Sequence, residues 1–142
     1  MSITKRRLFA VTAALAGFAL LAALPAFAGS SSSASPKLVK TVTVSISSKK
    51  EFHFTLSSSK FARAVVTFKI TNNGVLPHDL EVCNSNKGGT ANSCAGKKTT
   101  LISGQGGTGR LVKTFVLKGK YEYLCTVPGH AAQGMKGIIT VT

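Results

Sequence analysis

Most of the chain consists of short segments in which apolar and polar residues alternate. At residues 64–71, for example, every second position carries Ala, Val, Phe or Ile. Alternation with a period of two places successive side chains on opposite faces of an extended strand, so that one face can join a core. The strands predicted from this pattern cover residues 38–46, 51–56, 64–71, 80–83, 111–117, 121–126 and 138–141.

Turn-forming residues separate the predicted strands. Asn72-Asn73-Gly74 is a predicted turn, because Asn and Gly tolerate positive φ angles. Residues 84–109 are rich in Asn, Ser, Gly and Lys and are predicted to be mostly loop. Past residue 28, no segment has a sustained helical period. Seven or eight short strands in residues 37–142 therefore indicate an all-β fold, and specifically a β-sandwich.

The first 28 residues differ from the rest and predict an export signal. Basic residues 5–7 precede an apolar run at residues 8–24, and Ala26-Phe27-Ala28 matches an Ala-x-Ala cleavage site. The alternative is an uncleaved membrane anchor, although an apolar run that ends at Pro25 is short for a membrane span. The basic start also resembles the twin-arginine signal of proteins that fold before export.

A Ser-rich segment, GSSSSASP, follows the predicted signal and is expected to be a flexible linker, since it has little apolar surface to bury. The predicted organisation is a signal peptide at residues 1–28, a linker at residues 29–36 and one folded domain at residues 37–142. Export implies a periplasmic, cell-envelope or extracellular location for the mature domain, with no tight insertion into a membrane.

The chain is strongly basic, with 18 Lys and Arg against 4 Asp and Glu and a net charge of +14. Three of the basic residues lie in the predicted signal, which leaves 15 basic and 4 acidic residues and a net charge of +11. Such a charge attracts acidic partners or anionic membranes, and the alternative is that it only confers solubility. The basic residues are scattered and no binding motif accompanies them, so nucleic acid is not an expected partner.

The most informative chemical pattern lies near the C-terminus, where Cys125, His130 and Met135 follow one another at intervals of five residues. Thiolate, imidazole and thioether groups are soft ligands that suit copper. A second imidazole would complete a trigonal His2Cys plane with a weak axial Met, the arrangement of a blue-copper electron-transfer site. His78, in NNGVLPHD, is the candidate for that imidazole. Each residue alone has an ordinary structural explanation, but their common spacing favours a metal site.

The segments at residues 72–83 and 120–138 resemble the ligand loops of the small blue copper proteins, the cupredoxins of the plastocyanin, azurin and auracyanin kind. The resemblance implies the Greek-key form of the sandwich, a single copper ion and the transfer of single electrons. The ligands that it implies are His78, Cys125, His130 and Met135.

Two details of these loops bear on how the resemblance applies. Four residues separate Cys125 from His130, which is similar to azurin and auracyanin rather than plastocyanin. Asp79 stands where family members often have Asn, so the side-chain bond that ties the two ligand loops together is in doubt. Pro77 fixes its own φ angle and favours an extended residue before it, which would hold His78 in place before metal arrives.

Three cysteines in an exported chain suggest one disulfide and one thiol with another duty. Cys83 and Cys94 are the predicted pair, which leaves Cys125 as the ligand. The alternative for the pair is a second metal site, although no histidine lies near it in the sequence. Tyr121 and Tyr123 share strand parity with Cys125 and are predicted to shield its sulfur.

Together these patterns predict an exported, monomeric blue copper protein that carries electrons between redox partners with acidic docking surfaces. We expect no enzymatic activity, because the sequence shows no nucleophile with a base and no paired carboxylates. The alternatives are an envelope copper carrier or storage protein and a metal-free adhesive sandwich.

His53 alternates with two phenylalanines and is expected at the surface. Electrons are expected to pass through apolar residues around His130, namely Leu76, Pro77, Val127, Pro128, Ala131 and Ala132.

Overall fold

Nine β-strands make up the regular structure of residues 38–89 and 91–142, the part of the chain that the computed structural model describes. The predicted signal peptide and linker lie outside these residues. The strands are β1 (Val39–Ser47), β2 (Lys50–Leu56), β3 (Lys60–Phe61), β4 (Val65–Asn73), β5 (Glu81–Cys83), β6 (Gly96–Lys98), β7 (Gly107–Thr114), β8 (Gly119–Leu124) and β9 (Lys136–Val141). Within the described part of the chain, no helix is long and apolar enough to cross a membrane.

The strands form two sheets, one with the order β2-β1-β4-β7 and the other with the order β3-β9-β8-β5-β6. Two of the pairings are parallel, β1 with β4 and β3 with β9, and the others are antiparallel. Strands that are distant in sequence thus lie side by side, as Greek-key connections require. The predicted all-β sandwich is confirmed.

The core lies between the sheets and contains the apolar side of each alternating segment. On β1, Val42, Val44 and Ile46 are at most 1% exposed, while the residues between them are exposed. Phe115, which follows β7, is fully buried and makes edge-on ring contacts with three other aromatic residues. The period-two pattern therefore identified the buried face correctly.

The structure departs from the predicted strands mainly between residues 84 and 117. The short strand β6 lies in the segment predicted to be mostly loop, and β7 begins at Gly107 and ends at Thr114 instead of covering residues 111–117. The first residues of β7 pair with β4, where Gly109 faces Ile70. Because these positions carry Gly, Thr and Arg, they lack the apolar alternation that marks a strand in the sequence.

The disulfide between Cys83 and Cys94 is present, as predicted, with Cα atoms 5.7 Å apart. Cys83 lies at the end of β5, and its side chain packs with Leu124 and Ala131 in a small cluster separate from the main core. The bridge therefore closes the loop that follows β5. Its cysteines pack against Leu124, the last residue of β8, and against Ala131.

Candidate metal centre

Three of the four predicted ligands meet at one end of the sandwich, with their donor atoms facing one another. His78 Nδ1 lies 3.0 Å from His130 Nδ1, and Cys125 Sγ lies 3.5 Å from His130 Nδ1 and 3.9 Å from His78 Nδ1. All three side chains are buried. In the described part of the chain, they form the one group of three or more His, Cys, Asp or Glu residues close enough to share a metal ion.

The donor set fits one copper ion. Metal–nitrogen and metal–sulfur bonds in proteins are roughly 2.0–2.3 Å long, so a single ion can reach any two donors that lie less than about 4 Å apart. All three donor separations satisfy this condition. Two imidazoles and a thiol are also the equatorial ligands of a blue-copper site, in which copper supplies one-electron redox chemistry.

Met135, the predicted axial ligand, is fully buried and belongs to the same apolar cluster as Cys125. Backbone hydrogen bonds fix it relative to the other two ligands of its loop. The Cys125 N–H donates to the Met135 carbonyl at 3.0 Å, and the Met135 N–H donates to the His130 carbonyl at 3.1 Å. The loop thus closes on itself before any ion is bound.

A tight turn brings His130 back over Cys125. The His130 N–H donates to the Val127 carbonyl at 3.1 Å, Pro128 occupies the second position of the turn, and Gly129 has a φ angle of 84°. Proline followed by a residue with positive φ is the signature of a type II turn, and glycine adopts that φ without strain. The Val-Pro-Gly sequence therefore dictates the backbone path that delivers the imidazole.

His78 is positioned by the loop between β4 and β5. Its backbone N–H and carbonyl both pair with Ile102, at 3.0 and 2.7 Å. The fully buried Asn72 supports the same loop, because its side-chain amide donates to the carbonyls of Leu76 and Ile102 at 2.8 and 3.2 Å. The predicted turn at residues 72–74 starts later than expected, because Asn72 and Asn73 are the last residues of β4. Asn72 supports the bend that follows, since its Oδ1 accepts from the Gly74 N–H at 3.0 Å.

Asp79 ties the two ligand loops together, which resolves the doubt raised by its difference from Asn. Its carboxylate accepts hydrogen bonds from the Thr126 backbone N–H, at 2.6 Å, and from the Thr126 hydroxyl. Thr126 directly follows Cys125. The carboxylate can make both bonds because both partners are donors.

Glu51 contacts His78, and the sequence did not reveal this contact. The Nε2 atom of His78 lies 3.0 Å from Glu51 Oε1, and the same carboxylate accepts the N–H groups of Val75 and Leu76 at 2.8–3.0 Å. Burial alone would raise the pKa of Glu51, but the bonds from Val75, His78 and Leu76 outweigh it and hold the pKa below its ordinary value. Glu51 shares strand parity with His53, the residue of this strand that was expected at the surface.

The electrostatics of the donors follow from their burial. Burial raises the pKa of the Cys125 thiol to about 11, so the metal-free protein keeps this proton at neutral pH. Burial, together with the proximity of His78, lowers the pKa of His130. A neutral imidazole and a protonated thiol are therefore the resting forms of these two groups.

The two tyrosines that share strand parity with Cys125 are buried, while their shielding of its sulfur stays a prediction. Tyr121 and Tyr123 are 5% and 9% exposed and share the core cluster with Cys125. The Phe52 ring packs edge-on against His130, with centroids 5.0 Å apart. His53 is exposed, as expected, and takes no part in the site.

The prediction for the apolar surface around His130 is wrong at one position. Leu76, Pro77, Pro128 and Ala132 are exposed and Val127 is partly exposed, but Ala131 is only 3% exposed. Ala131 packs against the disulfide cluster, because the turn after His130 points it inward. Two residues that the sequence did not single out, Val75 and Leu101, extend the apolar surface and are 65% and 60% exposed.

Comparison with known proteins agrees with this geometry. Residues 40–142 match the family described as copper binding proteins, plastocyanin/azurin family. A search of curated proteins found no match. Auracyanin B is 26% identical, with a TM-score of 0.61, and the match covers 72% of this chain and 88% of that one. Auracyanin A, a "blue" copper protein from Chloroflexus aurantiacus, is also 26% identical, with a TM-score of 0.53 and coverage of 72% and 99%.

An auracyanin from Roseiflexus castenholzii shares the fold at 20% identity, with a TM-score of 0.51, and the match covers 75% of this chain and 98% of that one. The family match spans nearly all of the residues that form the sandwich and includes every predicted ligand. The protein belongs to the plastocyanin/azurin family of copper-binding proteins, and its cofactor is copper.

Proposed function

We propose that the protein is an exported blue copper protein that carries single electrons, and that His78, Cys125, His130 and Met135 would hold its copper ion. The observation that carries this proposal is the convergence of three buried donor atoms within 3.9 Å of one another. Two imidazole nitrogens and a thiol that loses its proton to the metal form a soft donor set that stabilises both oxidation states.

The chain contributes rigidity to this function. Electron transfer is fast when ligands move little between the two oxidation states, and each ligand here is fixed by bonds that do not involve metal. The type II turn fixes His130, the pairing with Ile102 fixes His78, and Asp79 joins the two loops through Thr126. Cys125 is fully buried, which excludes water from its sulfur and so protects it from oxidation.

The surface at this end of the molecule suits contact with a partner protein. The loops at residues 72–78, 99–106 and 126–135 carry no Lys or Arg, although the chain has 18 of them. Their exposed apolar residues, such as Leu76 and Leu101, allow close approach without desolvation of charge.

Lysines lie beside this uncharged surface. Lys49 and Lys50 belong to the hairpin that joins β1 to β2, next to the end of β4, and both are exposed. Lys98 reaches the other ligand loop, with its Nζ 3.3 Å from Thr126 Oγ1. An apolar contact surface bordered by lysines favours a redox partner whose docking surface is acidic, and the charges would accelerate encounter more than they tighten the complex.

The proposal of export rests on two features. Residues 1–28 have the pattern of an export signal, and the Cys83–Cys94 disulfide is of a kind that persists in oxidising compartments. The domain boundaries, the monomeric state and the absence of enzymatic activity stay predictions.

The experiment that tests the proposal is the optical and spin-resonance spectrum of the copper-loaded protein. We expect an intense blue colour from the bond between the Cys125 thiolate and Cu(II). Cys125→Ser should remove the colour without unfolding the sandwich, while His53→Ala should keep it, because His53 is exposed and outside the site. A pale wild-type protein that still binds copper would instead support a carrier or storage role.

A further inference from the structure

Glu51 occupies a place in the site that neither the ligand pattern nor the family match assigns. It lies near the start of β2, in the edge strand of the first sheet, and is 27 residues away from His78 in sequence. Its carboxylate nevertheless bonds to Nε2, the nitrogen of His78 that faces away from Cys125. His78 is fully buried and the Glu51 side chain is 17% exposed, so the contact is largely shielded from water.

The surrounding backbone is built to receive this carboxylate. The N–H groups of Val75 and Leu76 both point at Oε1, at 2.9 and 2.8 Å. A Cβ atom at Gly74 would collide with the same carboxylate, so the carboxylate can keep its present position only beside a glycine. Three groups, the N–H groups of Val75 and Leu76 and the Nε2 atom of His78, thus converge on one carboxylate.

The composition of the chain adds a second argument. Only four residues are acidic, and two of them, Glu51 and Asp79, contact the ligand loops. Asp79 bonds to Thr126, whereas Glu51 bonds to the ring of a proposed ligand itself. A carboxylate needed only for solubility would be exposed, and in a chain of net charge +14 it would have many lysines with which to pair.

We propose that Glu51 is a positioning residue for the copper site, which selects the tautomer of His78 and favours the oxidised state of the centre. This inference rests on the proposed ligand set. A carboxylate only accepts hydrogen bonds, so Nε2 must carry the proton of the neutral imidazole. Nδ1 then has its lone pair free, and it is Nδ1 that faces the other two donors.

The effect on oxidation state follows from charge. The oxidised centre carries one more positive charge than the reduced centre, and a carboxylate bonded to a ligand ring stabilises the more positive form. A neutral residue at the same place would lower this preference. Glu51 therefore sets a lower reduction potential than the ligand set alone would give.

The test compares Glu51→Gln and Glu51→Ala with Glu122→Gln as the matched control. Glu122 is 5% exposed on β8 and makes no contact with a proposed ligand among the described residues, so its change removes one carboxylate charge elsewhere. Three measurements are made on each protein: nitrogen NMR of the His78 ring in the metal-free state, the Cu(I) affinity and the reduction potential.

We expect wild-type and Glu122→Gln proteins to show His78 with Nε2 protonated. In Glu51→Ala, both tautomers should be populated and the Cu(I) affinity should fall by roughly 10- to 100-fold. In Glu51→Gln, which can still accept these bonds but has no charge, the potential should rise by more than in Glu122→Gln.

An unchanged tautomer in Glu51→Ala, or a potential in Glu51→Gln equal to that of Glu122→Gln, would overturn the inference. If Glu51→Ala does not fold, the Glu51→Gln potential decides the matter, because a residue that only caps Val75 and Leu76 would not move it. The tautomer measurement needs no metal. A wild-type protein that fails to turn blue but shows the expected tautomer would therefore count against the proposed function and not against the Glu51–His78 contact.

Discussion

Copper uptake by the metal-free protein should release a thiol proton, so the copper affinity is expected to rise with pH. The proton belongs to Cys125, since burial raises the pKa of its thiol to about 11 while copper binds the thiolate. His130 does not add a second proton near neutral pH, because burial and the nearby His78 lower its pKa.

The magnitude follows from this single proton. Below about pH 11 the thiol must lose its proton to bind, so each unit of pH raises the affinity tenfold, or about 1.4 kcal/mol. The thiol proton alone should therefore raise the affinity about 100-fold from pH 6 to pH 8, or by about 2.7 kcal/mol. The same raised pKa predicts that the metal-free fold loses stability as the pH rises from the ordinary thiol value towards 11.

The assay is anaerobic competition for Cu(I) against a chelator whose own affinity is known at each pH. Cys125→Ser is the control, because a serine hydroxyl keeps its proton and the tenfold dependence should disappear. A wild-type affinity that does not change between pH 6 and pH 8 would mean that the thiolate exists before metal arrives, which contradicts the effect of burial. A 100-fold change per unit would mean that a histidine also loses a proton on binding.

Three further predictions concern the axial ligand, the disulfide and the contact surface. Met135→Gln should keep the blue colour and lower the reduction potential, because an amide oxygen is a harder ligand than a thioether and favours Cu(II). Voltammetry would show an unchanged potential if Met135 were not a ligand. Replacing Cys83 and Cys94 together by Ala should lower the free energy of unfolding by about 3 kcal/mol, because the bridge closes a loop between cysteines with a sequence separation of 11. Denaturant titration measures this, and a change below about 1 kcal/mol would contradict it. Ala132→Glu should slow electron transfer to an acidic partner even at high salt. Added salt should slow electron transfer by the wild-type protein, because it weakens the electrostatic steering of the two proteins towards each other. Stopped-flow rates that respond to neither change would place the contact elsewhere.

The sequence predicted the parts of this molecule that local patterns encode. The period-two alternation identified the buried faces of the long strands, because each strand repeats its signal several times over. The spacing of Cys125, His130 and Met135 identified the metal loop, because all three lie within one turn-rich segment. Strands β3 and β6 were missed because they are short and carry few apolar residues: β3 is Lys-Phe and β6 is Gly-Lys-Lys.

Contacts between distant segments could not be predicted in this way. Glu51 and His78 are 27 residues apart, and Asp79 and Thr126 are 47 residues apart. Each contact depends on how the sheets place the ends of different strands. The burial of Ala131 likewise depends on the disulfide cluster that lies behind it, and its own segment gives no sign of it.

The distribution of charge nevertheless contains information about these distant contacts. Exposed basic residues contribute little to stability and can lie at many surface positions, so the place of any one lysine says little. The four acidic residues of this basic chain are different, because none of them is fully exposed. Glu81 and Glu122 are buried on β5 and β8, and Glu51 and Asp79 hold the ligand loops. In a chain with so strong an excess of positive charge, each acidic residue is therefore a candidate for a specific hydrogen-bonding role. An acidic residue on a strand close to a predicted ligand is a candidate contact of the metal site.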